Sequence, residues 1–210
     1  MASTILIPPG GTWFDTHRKS FIDVPIDSGD QGIATTEFLE AAEATTTLFD
    51  LLGSVAFTPV KNDMLGNIKK IRERQLDSPE QCSTLQSLVK SELATKKHTA
   101  TEGLLWLTRG LDFTAQALRA DIACSGSQEL SASFRSAYKS TLAPHHSFMV
   151  KPIFSAAMSA TPYRKDFYAK MVAGGTDSKK LDDAKTVWLE ALEQRVQILK
   201  TFMASKEAKW

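Results

Sequence analysis

Helix start and stop signals recur at short intervals from residue 35 to the carboxyl end, with no run of alternating apolar and polar residues between them. This punctuation constrains the fold more than any other feature, because a half-buried strand repeats every second residue and a helix about every 3.6. Thr36 precedes "EFLEAAEATTTLFDLLGS", whose Phe38, Leu39, Ala42, Phe49 and Leu52 mark an apolar helical face. Pro59 opens the next helix, which runs to about Leu76. "SPEQ" at 78–81 reads as a capping box with Ser78 at the cap, and "TATE" at 99–102 as another, opening a helix that carries "GLLWLTRGLDF". A fifth helix covers roughly 129–142. Pro144 precedes a sixth, "HHSFMVKPIFSAAMSA", which Pro152 should kink by removing one backbone hydrogen bond. Pro162 starts a short seventh, Gly174 and Gly175 stop it, and Asp177 or Ser178 opens a last long helix. The sequence therefore predicts an all-α single domain of about eight helices over 35–210. An extended arm over 1–34, rich in Pro, Gly, Asp and Ser, precedes it.

The chain has 210 residues, 42% hydrophobic and 23% charged, which suits one sizeable core. Its net charge of +1, without a dense Lys/Arg block and interleaved aromatics, argues against a nucleic-acid partner. Cys82 and Cys124 are too few for a disulfide framework and read as core filler in a reducing compartment. The amino terminus lacks a basic leading segment and its apolar run ends at Pro8-Pro9, so no signal peptide is expected; nor is any apolar run long enough to span a bilayer. A cytoplasmic protein is the expectation. His145 and His146 are adjacent and would diverge by about 100° on a helix, so no metal site is predicted. No nucleophile-elbow, metalloprotease, P-loop or dinucleotide pattern appears, and neither an enzyme nor a cofactor is expected.

Two stretches carry recognition chemistry. In "NDMLGNIKKI" (62–71), Asp63, Asn67 and Lys70 fall at i, i+4 and i+7, within roughly a sixth of the helix circumference. Met64, Ile68 and Ile71 form an apolar stripe beside them. An acceptor, an amide and a cation on an apolar rim describe either a solvated helix edge or a grip for a hydroxyl-rich head. In "LLWLTRGLDF", Arg109 and Phe113 follow Trp106 at i+3 and i+7. Such a tryptophan is either core or a flat platform of the kind sugar rings stack on.

"FTPVKNDMLGNIKKI", "LLWLTRGL", "HHSFMVKPIF" and "ATPYRKDF", in this order and spacing, resemble the glycolipid transfer protein family over roughly residues 36–204. The likeness is greatest to its fungal branch, associated with heterokaryon incompatibility. It implies a two-layer helical sandwich that moves glycosphingolipids between membranes without chemistry. By that correspondence Asp63, Asn67 and Lys70 bond the first sugar and Trp106 stacks beneath it. Asp63 also takes the ceramide amide N–H, His146 on its own helix donates to the ceramide carbonyl, and Tyr163 sits near the rim. Phe49, Leu52, Phe57, Val60, Leu111, Phe113 and Phe148 would line the hydrocarbon pocket or its mouth. The implied partners are a neutral hexosylceramide or lactosylceramide and, transiently, a membrane surface; the protein would be a monomer.

Two features depart from the family pattern. Related mammalian sequences carry Trp where Phe148 stands, and the "EAKW" ending differs from the usual one. A second reading keeps the same pocket but makes the protein a glycolipid sensor or scaffold acting in vegetative incompatibility through a protein partner. "TLFDLLG" at 47–53 faintly resembles a family motif for docking at endoplasmic-reticulum contacts, although Phe49 and Leu52 also read as core.

Overall fold

The computed structural model describes residues 5–210 and is all-helical over them, with three isolated β-bridges and no strand among the described residues. The helices are α1 (Thr35–Thr46), α2 (Leu48–Leu51), α3 (Thr58–Asp77), α4 (Leu85–Ala94), α5 (Thr99–Ala123), α6 (Leu130–Ser140), α7 (Lys151–Ser159), α8 (Arg164–Lys170) and α9 (Ser178–Ala204). They stack as a two-layer sandwich, with the long α5 packed against α3, α4, α6 and α9.

The predicted first helix is broken at Thr47, where α1 gives way to the single turn α2. The Thr45, Thr46 and Thr47 hydroxyls each donate to a carbonyl of the preceding turn, a competition with the helix ladder that bends or ends helices. Counted as one bent element, α1 and α2 bring the total to the expected eight.

Two predicted capping boxes do not form. Ser78 makes no cap, and 79–81 is one 3₁₀ turn; α4 starts at Leu85, where Thr84 and Ser87 cap each other. The chain must stay extended through Ser83 to Leu85 because Thr35 N–H donates to Ser83 and Leu85 N–H donates to Ile33. At the start of α5, Thr99 is already helical and Glu102 is exposed. The cap comes from α4: the Glu92 carboxylate, 3% exposed, accepts from Ala100 N (2.9 Å), Thr101 N (2.7 Å) and Thr101 Oγ1 (2.7 Å). A carboxylate at the positive end of a helix dipole meets the same need as a local cap, and it also fastens α4 to α5.

Pro152 falls in the first turn of α7, where its missing N–H costs nothing, so the expected kink is absent. Residues 141–150 form turns, which places His146 in a turn and corrects its assignment to a helix. Asp177 caps α9 as predicted, accepting from Lys179 N.

The amino-terminal segment holds two 3₁₀ turns, Trp13–Thr16 and Phe21–Asp23, and inserts Trp13 and Phe21 fully into the core. A backbone bond from Trp13 N to Met171 O (2.7 Å) and a side-chain bond from Arg195 Nη2 to Val24 O (2.7 Å) fasten it to the end of α8 and to α9. Both cysteines are unpaired; Cys82 is buried core and Cys124 partly exposed. No described helix is long and apolar enough to cross a membrane.

Candidate functional site

The stripe on α3 is linked side chain to side chain. Asn67 Nδ2 donates to Asp63 Oδ2 at 3.2 Å, and Lys70 Nζ donates to Asn67 Oδ1 at 3.3 Å. Asn67 is 3% exposed, so its orientation is held from both sides, as a buried amide requires. Met64, Ile68 and Ile71 are buried and seat this helix in the core. Although Asp63 retains solvent exposure, the protein packed around its carboxyl raises its pKa above the ordinary value, opposed by the charge of Lys70 and the Asn67 hydrogen bond.

Gly103 explains how α5 comes so close to this stripe. A Cβ there would lie 3.3 Å from both the Asn67 carbonyl oxygen and Lys70 Cβ; at Gly110, two turns on, it would lie 3.4 Å from Met64. Two glycines seven residues apart give α5 one bare face towards α3. Trp106 follows Gly103 by three residues and is half-buried. The Arg109 guanidinium lies 4.7 Å over its ring, and the His146 imidazole stacks on it at 5.8 Å and 21°.

His146 is held from behind. Its Nδ1 is 3.2 Å from the Tyr138 hydroxyl, and its ring lies 4.5 Å from Phe154, which itself stacks on Tyr138 at 5.1 Å. Burial lowers the His146 pKa, and the nearby His145, Arg109 and Lys151 lower it further, which favours the neutral ring. Tyr138 and Phe154 were not singled out from the sequence. Tyr138 precedes His146 by eight residues on another element, and only the reversal between α6 and α7 brings the two together.

Of the predicted apolar set, Phe49, Leu52, Phe57, Val60, Leu111 and Phe113 are at most 4% exposed. Their rings form a chain through Phe134 of α6: Phe49 to Phe57 at 6.0 Å, Phe57 to Phe134 at 6.4 Å, and Phe134 to Phe113 at 5.7 Å. Phe134 was missed, since an aromatic at helical spacing carries no local sign of which layer it faces. Phe148 stands apart on the surface, 83% exposed, and Tyr163, 72% exposed, directly precedes α8 without a side-chain cap bond to it. Trp210 stacks over His98 at 5.7 Å rather than over Trp106. No cluster of three His, Cys, Asp or Glu poised for a metal exists among the described residues.

An all-helical sandwich with a polar, aromatic rim beside an apolar interior has the build of a binding module. The sequence profile of the family described as glycolipid transfer protein (GLTP) matches residues 33–173, and the chain belongs to that family. It is 66% identical over 203 residues to a glycolipid transfer protein of Aureobasidium melanogenum, covering 97% of this chain and 98% of that one. The crystal structure of HET-C2, a fungal glycolipid transfer protein, superposes with a TM-score of 0.90 at 58% identity, covering 95% and 100% of the two chains. FAPP2, whose solved structure concerns how it selects simple glycosphingolipids with this fold, gives 0.81 at 33% identity over 91% and 94%. Human pleckstrin homology domain-containing family A member 8 is 34% identical over 90% of this chain, which spans 38% of that protein's length. The chain is thus a glycolipid transfer protein by family, a carrier and not an enzyme.

Proposed function

We propose that this protein lifts a glycosphingolipid from one membrane, shelters its hydrocarbon in the apolar interior, and releases it to another. The observation that carries this reading is the linked Asp63–Asn67–Lys70 chain lying beside the Trp106–His146 stack. A carboxylate, an amide and an ammonium offer an acceptor, a mixed group and a donor to sugar hydroxyls, while the half-buried indole offers a flat apolar face. A neutral His146 that accepts from the Tyr138 hydroxyl at Nδ1 keeps Nε2–H to donate to the ceramide carbonyl. Asp63 takes the ceramide N–H, and Tyr163 and Phe148 flank the entrance.

Exposing a lipid chain to water costs about 0.8 kcal/mol per CH₂, so a carrier needs a continuous apolar sleeve. Phe49, Leu52, Phe57, Val60, Leu111 and Phe113 supply it between the layers. Head selection follows from the cost of leaving a polar group unpaired at a dry rim, about 1–3 kcal/mol. A neutral hexosylceramide or lactosylceramide satisfies the rim; a choline head does not. The protein works as a monomer on the cytoplasmic side, touching membranes peripherally and transiently. The sensor or scaffold reading uses the same site, but "TLFDLLG" offers it no docking surface, because Phe49 and Leu52 are 3% and 2% exposed.

The test is transfer of labelled galactosylceramide and phosphatidylcholine between vesicles, with circular dichroism of each variant. Asn67→Ala and His146→Ala should each abolish most galactosylceramide transfer with the helical signal retained. Equal transfer of phosphatidylcholine by the wild type, or loss of transfer that always follows loss of fold, defeats the reading.

A further inference from the structure

Residues 130–165 contain Arg135, Lys139, Lys151, Arg164 and Lys165 and no Asp or Glu; since the whole chain nets +1, the remainder nets −4. Positive charge is thus concentrated on α6, α7 and the start of α8. Arg164 is neutralised by the buried Asp121, 3.0 Å away. Arg135, Lys139 and Lys151 have no carboxylate at ion-pair distance among the described residues.

These three cations line one open groove of about 520 Å³ between α6 and α7, together with Tyr138, Ser155 and Ser159. Arg135 Nη2 donates to Ser159 Oγ at 2.9 Å, which steadies the guanidinium and leaves the rest of its fork open. Lys151 opens α7 directly after the turn that carries Phe148 and Met149, 83% and 70% exposed, and Ile153 follows at 46%. The cationic groove therefore runs along α7 from Lys151, directly beside the exposed apolar turn, to Ser159, where Arg135 is held.

We infer that this groove binds the phosphate of an anionic phospholipid in the membrane on which the exposed turn lands. The inference rests on the proposed transfer function, in which the protein touches membranes transiently, and takes the exposed turn carrying Phe148 as the part that lands. An arginine fork and two lysines spread along the groove suit phosphate oxygens, and no acid lines the groove to compete. The bilayer is favoured over an acidic peptide by the position of the apolar side chains: they enter the acyl boundary while the cations stay at head-group level. Tyr138 forms a wall of the groove and contacts His146 through its hydroxyl, so the two sites share one side chain.

The experiment measures partition of the full chain onto vesicles of phosphatidylcholine and of phosphatidylcholine doped with phosphatidylserine. Each groove cation contributes about fivefold to partition onto the anionic vesicles. Arg135→Ala/Lys139→Ala should therefore lose on the order of 25-fold there and nothing on neutral vesicles. Lys151→Glu, an independent variant, should lose at least as much as one neutralised cation. Lys206→Ala/Lys209→Ala removes two exposed cations elsewhere and should keep the response. Equal loss in this control would mean that net charge alone acts, and overturns the groove. Titration with inorganic phosphate that shifts the Ser155 and Ser159 amide resonances without vesicles would mean a free-anion site, and overturns the membrane assignment. Galactosylceramide transfer between neutral vesicles should stay at the wild-type rate in Arg135→Ala/Lys139→Ala. If the wild type carries no glycolipid at all, it is the transfer reading that fails, and the partition data still judge the groove.

Discussion

The cluster around Trp13 and the cluster around Trp106 each pair an indole with a histidine, yet they differ in where their polar atoms point. Trp13 is fully buried, its ring edge-on to His17 at 4.2 Å and to Trp188 at 5.8 Å, and its Nε1 donates to Thr47 Oγ1 at 2.9 Å. Both His17 ring nitrogens are buried without a partner, and burial drives its pKa down to about 4 despite the nearby Asp15. At Trp106 the histidine is braced by one phenol, a guanidinium lies over the indole, and a carboxylate–amide–lysine chain runs alongside on α3. Residue type does not separate a core cluster from a polar cluster at the surface. The separation lies in whether the polar atoms are shut away from solvent, as in the His17 ring, or kept at the surface, as at Asp63.

The largest effect that would test this contrast is on stability. Trp13→Ala should destabilise the fold by about 3–5 kcal/mol in denaturant unfolding, the cost of emptying a core aromatic site. A loss under about 1 kcal/mol would show that the arm does not belong to the core.

Acid should find the same cluster next. The unfolded chain takes a proton on His17 near the ordinary 6.5, whereas the folded chain resists until about 4. Stability is therefore full above pH 6.5 and falls as pH drops towards 4, by roughly 3 kcal/mol from this residue. His17→Phe should flatten that part of the pH–stability curve relative to wild type; parallel curves would remove His17 as the cause.

The rim should respond in transfer and selectivity with the fold intact. Asp63→Val removes charge-assisted bonds worth about 1.5–3 kcal/mol, so neutral glycolipid transfer should fall on the order of tenfold or more. A sulfated head suffers less, because the same change relieves repulsion between two anions. The ratio of sulfated to neutral transfer must rise, and a lower or unchanged ratio would mean that Asp63 does not face the head. Trp106→Ala should cut transfer on the order of tenfold while unfolding shifts far less than for Trp13→Ala. The smallest effect is expected from Tyr138→Phe, which frees His146 Nδ1 at a cost of about 1 kcal/mol and should lower transfer a few-fold without changing the fold.

The polar face of α3 was legible in order along the chain. The i, i+4, i+7 spacing of Asp63, Asn67 and Lys70 lies within one helix, where period alone fixes which side chains share a face. Asp177 as a cap and Pro59 in a first turn were legible for the same reason. The boxes at Ser78 and Thr99 misled, because a cap is satisfied by whichever acceptor arrives first, and here extended pairing with the arm and the distant Glu92 took precedence.

The sequence by itself determined the helical class, the approximate count of the helices and the local constellation on α3, since all three depend on contacts within a few residues. Tertiary structure alone decided that Tyr138 and Phe154 brace His146, that Phe134 joins the interior chain of rings, and that the amino-terminal arm fills the core with Trp13 and Phe21. It also decided that Arg135, Lys139 and Lys151 face one groove. These contacts join residues on different elements, and their geometry is set by how helices cross and turns reverse, which no local period encodes.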